Sequence, residues 1–373
     1  MTPEQIFPAV PETAEMPKLL EITDLSVDYR GRRRRWNRVI DRVEISVGAG
    51  ETVGLVGESG SGKSTIGRAV LGLAHVATGS IAFEGREIAH LSRRKRSALA
   101  SDLQVVFQDP YSSLNPAMPI GRILQEPLRV TQKMSAAQSS ARVRDLLQRV
   151  SLPPDAADRY PSAFSGGQRQ RVAIARALSI DAKLIVCDES VSALDVSTQA
   201  QIINLLKQLQ DELGVAYLFI SHDIAVVQNI SDRIVVLYRG RVMEQGPADA
   251  ITRRPLHPYT RVLLDAAPVP HPRLQRSRRG SRMVAAPAQS TGDTRVTVDA
   301  CPFAPRCPMA EAVCFERRPA AVRHGGATVE CHLYDGGSGH SRAGSIDPSI
   351  GIRSSQSHTP TPVVPEKESK NAH

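Results

Sequence analysis

Gly57-Glu58-Ser59-Gly60-Ser61-Gly62-Lys63-Ser64-Thr65 is the stretch on which the fold turns. It satisfies G-x-x-x-x-G-K-[ST], and the context that gives this pattern meaning lies on both sides. An apolar strand, residues 52–56, precedes it, and a helical stretch follows Lys63. The glycines let the backbone curl so that successive N–H groups point at phosphate oxygens. The helix N-terminus adds a favourable partial charge. Lys63 is then placed to reach the β and γ phosphates of a nucleotide, and the Ser64 hydroxyl to ligate Mg2+. The plain alternative is a glycine-rich turn that only links strand to helix; motif and context together set it aside.

Outward from this loop the chain alternates strands with helices. Strand-like runs are LLEITDLSVDY from Leu19, then RVEISV, ETVGLVGE, AKLIVCDE, VAYLFISHD and DRIVVLYRG. Helical stretches follow Lys63 and cover 136–150 and 197–213. Such alternation predicts an α/β fold with a largely parallel core sheet. Residues 122–159 hold no convincing strand and read as a helical insertion. Residues 1–17, polar and rich in proline, read as a disordered leader; regular patterning fades after about Pro268, and 336–373 read as a disordered tail.

Composition narrows the function classes. The 373 residues are 41% hydrophobic, enough for a substantial core. No apolar run approaches the roughly 20 residues of a membrane-spanning helix, and the N-terminus, with Glu4, Glu12 and Glu15, carries no signal core. The net charge of +9 is uneven, concentrated in Arg32 to Arg35, Arg93 to Arg96 and residues 273–282. A nucleic acid, an anionic membrane or a phosphorylated ligand would all suit it. Aromatic residues at 4% leave no platform for stacked bases, which argues against nucleic acid.

A second acidic motif completes a hydrolytic set. The apolar strand 184–187 ends in Asp188 and Glu189. Strand C-termini of α/β sheets are where ligands bind. Asp188 suits the Mg2+-holding carboxylate, and Glu189 the general base that polarises an attacking water.

Phe164-Ser165-Gly166-Gly167-Gln168-Arg169-Gln170-Arg171 resembles the signature motif of ATP-binding-cassette (ABC) ATPases. Gln108 in VVFQDP resembles that family's Q-loop, a further Mg2+ contact, and Ser192-Ala193-Leu194-Asp195 its D-loop. His222 in FISHD resembles its switch histidine, and Tyr29, with Trp36 as runner-up, its adenine-stacking aromatic. The set runs in the family's order from about Leu19 to Gly246. The resemblance implies a P-loop NTPase (RecA-like) core with an antiparallel β subdomain and a helical subdomain at about 108–165, all within 18–270. It also implies ATP and Mg2+ as ligands, with ATP held between two cassettes. In that arrangement Ser165, Gly166, Gly167 and Gln168 face the γ-phosphate bound to the partner. Ser190 departs from the proline that usually follows the general base, which predicts a modest effect on rate.

The stretches FQDPYSSLNP (107–116), RYPSAFSGGQ (159–168) and His257-Pro258-Tyr259-Thr260 resemble the peptide-importer group of this family, as does the cysteine-bearing tail. Nickel importers share much of this. The implied role is the ATPase subunit of a di- or oligopeptide importer, with a nickel or other small-solute importer as the alternative. The implied partners are a second cassette, two membrane permeases and, indirectly, an extracytoplasmic solute-binding protein. The implied location is the cytoplasmic face of the cell membrane, as a peripheral subunit. A soluble cassette ATPase acting on nucleic acid is the rival class; such proteins usually carry two cassettes, and one GKST loop is present here.

Cys301, Cys307, Cys314 and Cys331 are separated by five, six and sixteen residues, within an irregular C-terminal module expected at 250–335. Zinc sites favour paired gaps of about two to four residues. Iron–sulfur clusters are also held by four thiolates and accept varied spacing. Zinc and free thiols stay open on spacing alone; the family resemblance implies a four-iron, four-sulfur cluster. The approach at 289–298 departs from the Pro-Ser-Pro turn usual in relatives.

Overall fold

The computed structural model describes residues 18–30, 36–109, 113–267 and 299–344. The expected leader, the arginine-rich stretches 32–35 and 273–282, the approach 289–298 and the tail from 345 lie outside these residues.

The described residues form two sheets. In the first, β1 (Lys18–Arg30), β2 (Trp36–Gly48), β4 (Val76–Phe83) and β5 (Arg86–Glu87) lie in the order β2-β1-β4-β5, all antiparallel. This is the antiparallel subdomain implied above. Between β2 and β4 run β3 (Thr52–Val56) and α1 (Lys63–Val70). After β5 come α2 (Arg93–Ser97) and β6 (Leu103–Val106).

The helical insertion follows as α3 (Ile120–Thr131) and α4 (Ala136–Arg149) and leads into α5 (Gly166–Leu178). Helix α4 starts on a reciprocal box: Gln138 N donates to Ser135 Oγ at 3.3 Å, and Ser135 N to Gln138 Oε1 at 3.0 Å. Two otherwise orphaned amides are satisfied there. Ile123, Leu124, Leu128, Val143, Leu146 and Leu147 recur at three- and four-residue spacing and are buried, so the two helices close on each other.

Next come β7 (Leu184–Asp188), α6 (Val196–Leu213), β8 (Ala216–Ser221), α7 (Ile224–Ile230), β9 (Arg233–Tyr238) and β10 (Arg241–Pro247). The chain continues through α8 (Ala248–Arg253), α9 (Pro258–Ala266), α10 (Ala312–Glu316) and a hairpin of β11 (Ala321–His324) and β12 (Ala327–Glu330). The second sheet has the order β11-β12-β10-β9-β3-β8-β7-β6. From β9 to β6 every pairing is parallel; β10, β12 and β11 join antiparallel. The parallel strands read as continuous apolar runs because both faces are covered. On β8, Leu218 and Ile220 enter the core beneath the antiparallel sheet, whereas Tyr217 and Phe219 enter the core shared with the helical insertion.

The C-terminal region is built into this sheet. Glu244 pairs with Val329, and Phe303, Val329 and Leu333 join the same buried cluster as the helical insertion. The boundary expected at 335 falls short. Ser338 and His340 are buried, Ser338 Oγ donates to His332 O at 3.0 Å, and a His340 ring nitrogen lies 3.0 Å from Met309 O. Residues 336–344, expected to be disordered from their Gly/Ser content, therefore pack on the module.

Candidate nucleotide site

Parallel pairing brings four motifs to one edge. Val56 pairs with Ser221 and Val236, Asp188 with Ile220, and Val106 with Cys187. The phosphate loop after β3, Gln108 after β6, Asp188 and Glu189 at the end of β7, and His222 after β8 thus leave the sheet side by side. This is the edge at which α/β sheets bind ligands.

The loop turns into α1 at Gly62, whose φ of 104° excludes a side chain, and Thr65 N and Ile66 N donate to Gly62 O. Lys63 is 4% exposed and donates to Gly57 O at 2.8 Å and Glu58 O at 3.0 Å. Burial lowers its pKa, partly offset by Glu189 and Asp188. Ser64 Oγ donates to Asp188 Oδ1 at 2.7 Å. Among the described residues the buried Ser61 Oγ has no hydrogen-bond partner. A buried ammonium held only by carbonyls, a hydroxyl paired with a carboxylate and an orphaned hydroxyl suit phosphate and Mg2+. Ser64 and Asp188 would hold the ion, and Mg2+ would neutralise charge on the β and γ phosphates.

Glu189 follows with φ of 48°, a left-handed backbone costing about 1 kcal/mol or more for a non-glycine residue. Its N–H donates to Ile220 O at 3.0 Å, and Ser192 N and Oγ donate to Glu189 O. The carboxylate is turned so that Oε2 lies 3.8 Å from His222 Nδ1. An exposed histidine and a half-buried carboxylate face each other where a water could be activated. Ser190, the departure noted in the sequence, is buried.

The signature segment forms a second locus. Ser165 caps α5 through the same reciprocal box: Gln168 N donates to Ser165 Oγ at 3.3 Å, and Ser165 N to Gln168 Oε1 at 3.0 Å. Gly166 and Gly167 occupy the first turn. A Cβ on Gly167 would lie 2.4 Å from Thr198 Cγ2, so only glycine lets α5 meet the start of α6. Asp195 caps α6, accepting from Thr198 N, Thr198 Oγ1 and Ser197 Oγ at 2.6–2.9 Å. These donors hold its carboxyl well below the usual range. Asp109, Ser165, Gly166, Gly167, Leu194 and Asp195 line one open cavity, and no residue of 57–65 lines it. Within one chain, the signature and the phosphate loop are thus separate sites.

Gln108 is exposed on the loop after β6. Tyr29 and Trp36 are exposed at the free end of the β1–β2 hairpin, where Arg30 pairs with Trp36 and Tyr29 with Asn37. That hairpin passes the phosphate loop at Ile40, whose Cδ1 would lie 2.5 Å from a Cβ on Gly62.

Two matches to known families cover much of the chain: "ABC transporter" over residues 40–192, and "Oligopeptide/dipeptide transporter, C-terminal region" over 243–314. The Escherichia coli oligopeptide transport ATP-binding protein OppF is 44% identical over 332 residues, covering 85% of this chain and 96% of that protein. The chain belongs to the ABC transporter family. A Brucella abortus ATP-binding protein assigned provisionally to peptide import is 47% identical over 304 residues, 80% of this chain and 87% of its own. Among solved structures, the cassette MJ0796, a dimer in a post-hydrolysis state with ADP and Pi, matches with TM-score 0.56 and 28% identity over 61% of this chain and 98% of that one. This ABC cassette is an ATPase with a P-loop NTPase core. Among its described residues no helix is long and apolar enough to cross a membrane.

Cys301, Cys307, Cys314 and Cys331 are free thiols lining one small cavity, together with His257, His332 and His340. Burial pushes Cys301 up to about 11 and Cys307 up to about 12. Among the described residues no group of three or more His, Cys, Asp or Glu side chains is arranged to hold a metal ion. The four thiols share this cavity, but the ligand geometry that a metal centre requires is not formed among them. Sequence reasoning also left His257-Pro258-Tyr259-Thr260 without a physical role. The cap patterns Ser135-x-x-Gln138 and Ser165-x-x-Gln168 were legible signals for two helix starts.

Proposed function

We propose that this chain energises a membrane importer of di- and oligopeptides, working as one of two cassettes that close on ATP. The observation that carries this reading is the region after β10. It has the sequence character of oligopeptide/dipeptide transporters over 243–314, and it is built into the sheet that also carries Lys63, Asp188 and Glu189. The separation of signature from phosphate loop within one chain supports a dimer. Each signature can then meet the ATP bound by the other cassette, with Gly166 and Gly167 presenting helix N-terminal amides to its γ-phosphate. Within one site, Lys63 binds phosphate, Ser64, Asp188 and Gln108 serve Mg2+, Glu189 takes a proton from water and His222 orients it. Tyr29 stacks on adenine. The helical insertion docks on cytoplasmic helices of the permease, the importer having two permeases, at the cytoplasmic face of the membrane, and a solute-binding protein delivers peptide from the other side.

The four thiols are assigned to a four-iron, four-sulfur cluster. What supports this is their convergence on one buried cavity with none in a disulfide. A cluster would supply the positive charge that buried thiolates need.

Uptake of a labelled tripeptide by cells lacking this chain is the test. Uptake should return with the wild-type chain and fail with Lys63→Ala. Restored nickel uptake without peptide uptake would transfer the assignment to a nickel importer.

A further inference from the structure

We infer that Tyr259 and Arg306 are positioning residues of the phosphate loop, clamping Glu58 by its backbone and its side chain. The inference rests on reading residues 57–65 as the phosphate loop. Glu58 N donates to Tyr259 Oη at 2.9 Å. Arg306 Nη1 donates to both Glu58 carboxylate oxygens, at 2.9 and 3.0 Å, and lies 3.4 Å from the Tyr238 hydroxyl. One loop residue is thus held at both ends by groups 201 and 248 positions away in sequence.

The parts behind the clamp are rigid. Tyr259 is fully buried on α9, its ring 4.6 Å from that of Tyr238 and 5.3 Å from that of Phe303. His257 caps α9, its Nδ1 accepting from Tyr259 N at 3.0 Å. Pro258 takes the first helical position, where no N–H is needed. The buried Glu244 of β10 accepts from Leu256 N, His257 N and Thr260 Oγ1 at 2.6–2.9 Å. Each residue of His257-Pro258-Tyr259-Thr260 therefore has one task, and the four together deliver a hydroxyl to the back of the loop. Arg306 sits in the turn Ala304–Arg306, immediately before Cys307, its guanidinium 5.6 Å from the Phe303 ring centroid.

A loop that must curl around phosphates loses conformational freedom on binding, and a clamp present beforehand reduces that cost. Such help acts on ground state and transition state alike, so it lowers KM and Kd for ATP and leaves kcat. The Arg306–Glu58 pair is about two-fifths exposed on each side, which screens it and keeps its effect modest.

The experiment measures Mg-ATP affinity of the full-length chain, and KM and kcat of the assembled transporter. Tyr259→Phe, which removes only the hydroxyl, and Arg306→Gln should each raise Kd and KM about three- to tenfold, with kcat kept within about twofold. Glu58→Gln should match Arg306→Gln, and adding Arg306→Gln to Glu58→Gln should cost nothing more. The exchange Glu58→Arg with Arg306→Glu should recover much of the affinity. Wild-type Kd in Tyr259→Phe and Arg306→Gln, beside a Lys63→Ala control that binds poorly, would overturn the clamp. So would a loss in Arg306→Gln that persists in full in the Glu58→Gln background, since the arginine would then act as general scaffolding. If Lys63→Ala itself bound ATP normally, the phosphate-loop reading would fall, and the clamp with it.

Discussion

Ser64 Oγ donates a 2.7 Å hydrogen bond to Asp188 Oδ1, joining the start of α1 to the end of β7 across 124 residues of sequence. Both oxygens suit Mg2+, and each holds the other in place. Asp188→Asn should therefore keep nucleotide binding in the presence of EDTA yet lose most of the gain that Mg2+ gives. Turnover should fall about a hundredfold or more, because charge on the transferring phosphoryl group is no longer neutralised. A titration of ATP with and without Mg2+, run on both proteins, checks it.

Glu189 and His222 face each other at 3.8 Å beside that site. Glu189→Gln should bind ATP normally, cut turnover by roughly 10²-fold or more, and accumulate an ATP-bound dimer on a sizing column. His222→Ala should also slow turnover. Combining the two should cost far less than the product of the single effects, because they act on one water. Normal steady-state hydrolysis by Glu189→Gln in the assembled transporter would remove Glu189 as the base.

The placement of the candidate site was legible because its motifs are contiguous, each ending a strand of the same parallel sheet. Residues 57–65, Asp188 with Glu189, and His222 needed only the rule that ligands sit at strand C-termini. The short edge strands were not legible. β6 has four residues and β11 four, too few for a period to declare itself, and β11 is fixed by its pairing to β12 rather than by its own pattern. Residues 336–344 misled for the same reason: their Gly and Ser content signals disorder, but tertiary partners such as His332 O and Met309 O give Ser338 and His340 a place. The role of Tyr259 depended on a contact spanning 201 residues, which no local pattern contains.

Gly167 is a packing residue as well as a signature residue. A methyl group there would meet Thr198 Cγ2 at 2.4 Å, and crowding of this kind typically costs about 1–3 kcal/mol. Gly167→Ala should lower the melting temperature and turnover while leaving ATP binding to the isolated chain nearly unchanged. Adding Thr198→Ser should recover melting temperature, since that removes the offending methyl but keeps the hydroxyl bonded to Asp195. Loss of turnover without loss of stability would assign Gly167 to phosphate contact alone.

Asp195 gives a pH signature. Three donors hold its carboxyl below the usual carboxylate range, so the folded protein keeps it ionised at pH values where the unfolded chain takes up a proton. The sign follows: its contribution is complete above the unfolded pKa of about 4 and is lost as pH falls below that value. Asp195→Asn, which can still cap α6, should flatten that part of the acid limb of a melting-temperature profile. Asp195→Ala should lower stability at every pH. An acid limb identical in wild type and Asp195→Asn would contradict the assignment.

The C-terminal region draws its stability from the cassette, and this changes what cysteine replacement should do. Phe303 and Val329 are buried in the cassette's core, and β12 covers the outer edge of β10. A chain cut after residue 267 would expose that edge and the apolar faces of Tyr238 and Tyr259. It should be less soluble and should bind ATP more weakly than the full chain, not behave as an independent cassette. If the four thiols hold a four-iron cluster, protein purified without oxygen should be brown, with iron and sulfide near four each per chain. Cys307→Ser or Cys314→Ser should bleach it, yet loosen the module to protease only in part, because the β10–β12 pairing and the Phe303 contacts remain. Colourless anaerobic protein with one zinc per chain would replace the cluster by a single ion. Metal-free protein of unchanged stability would leave four thiols that serve packing alone.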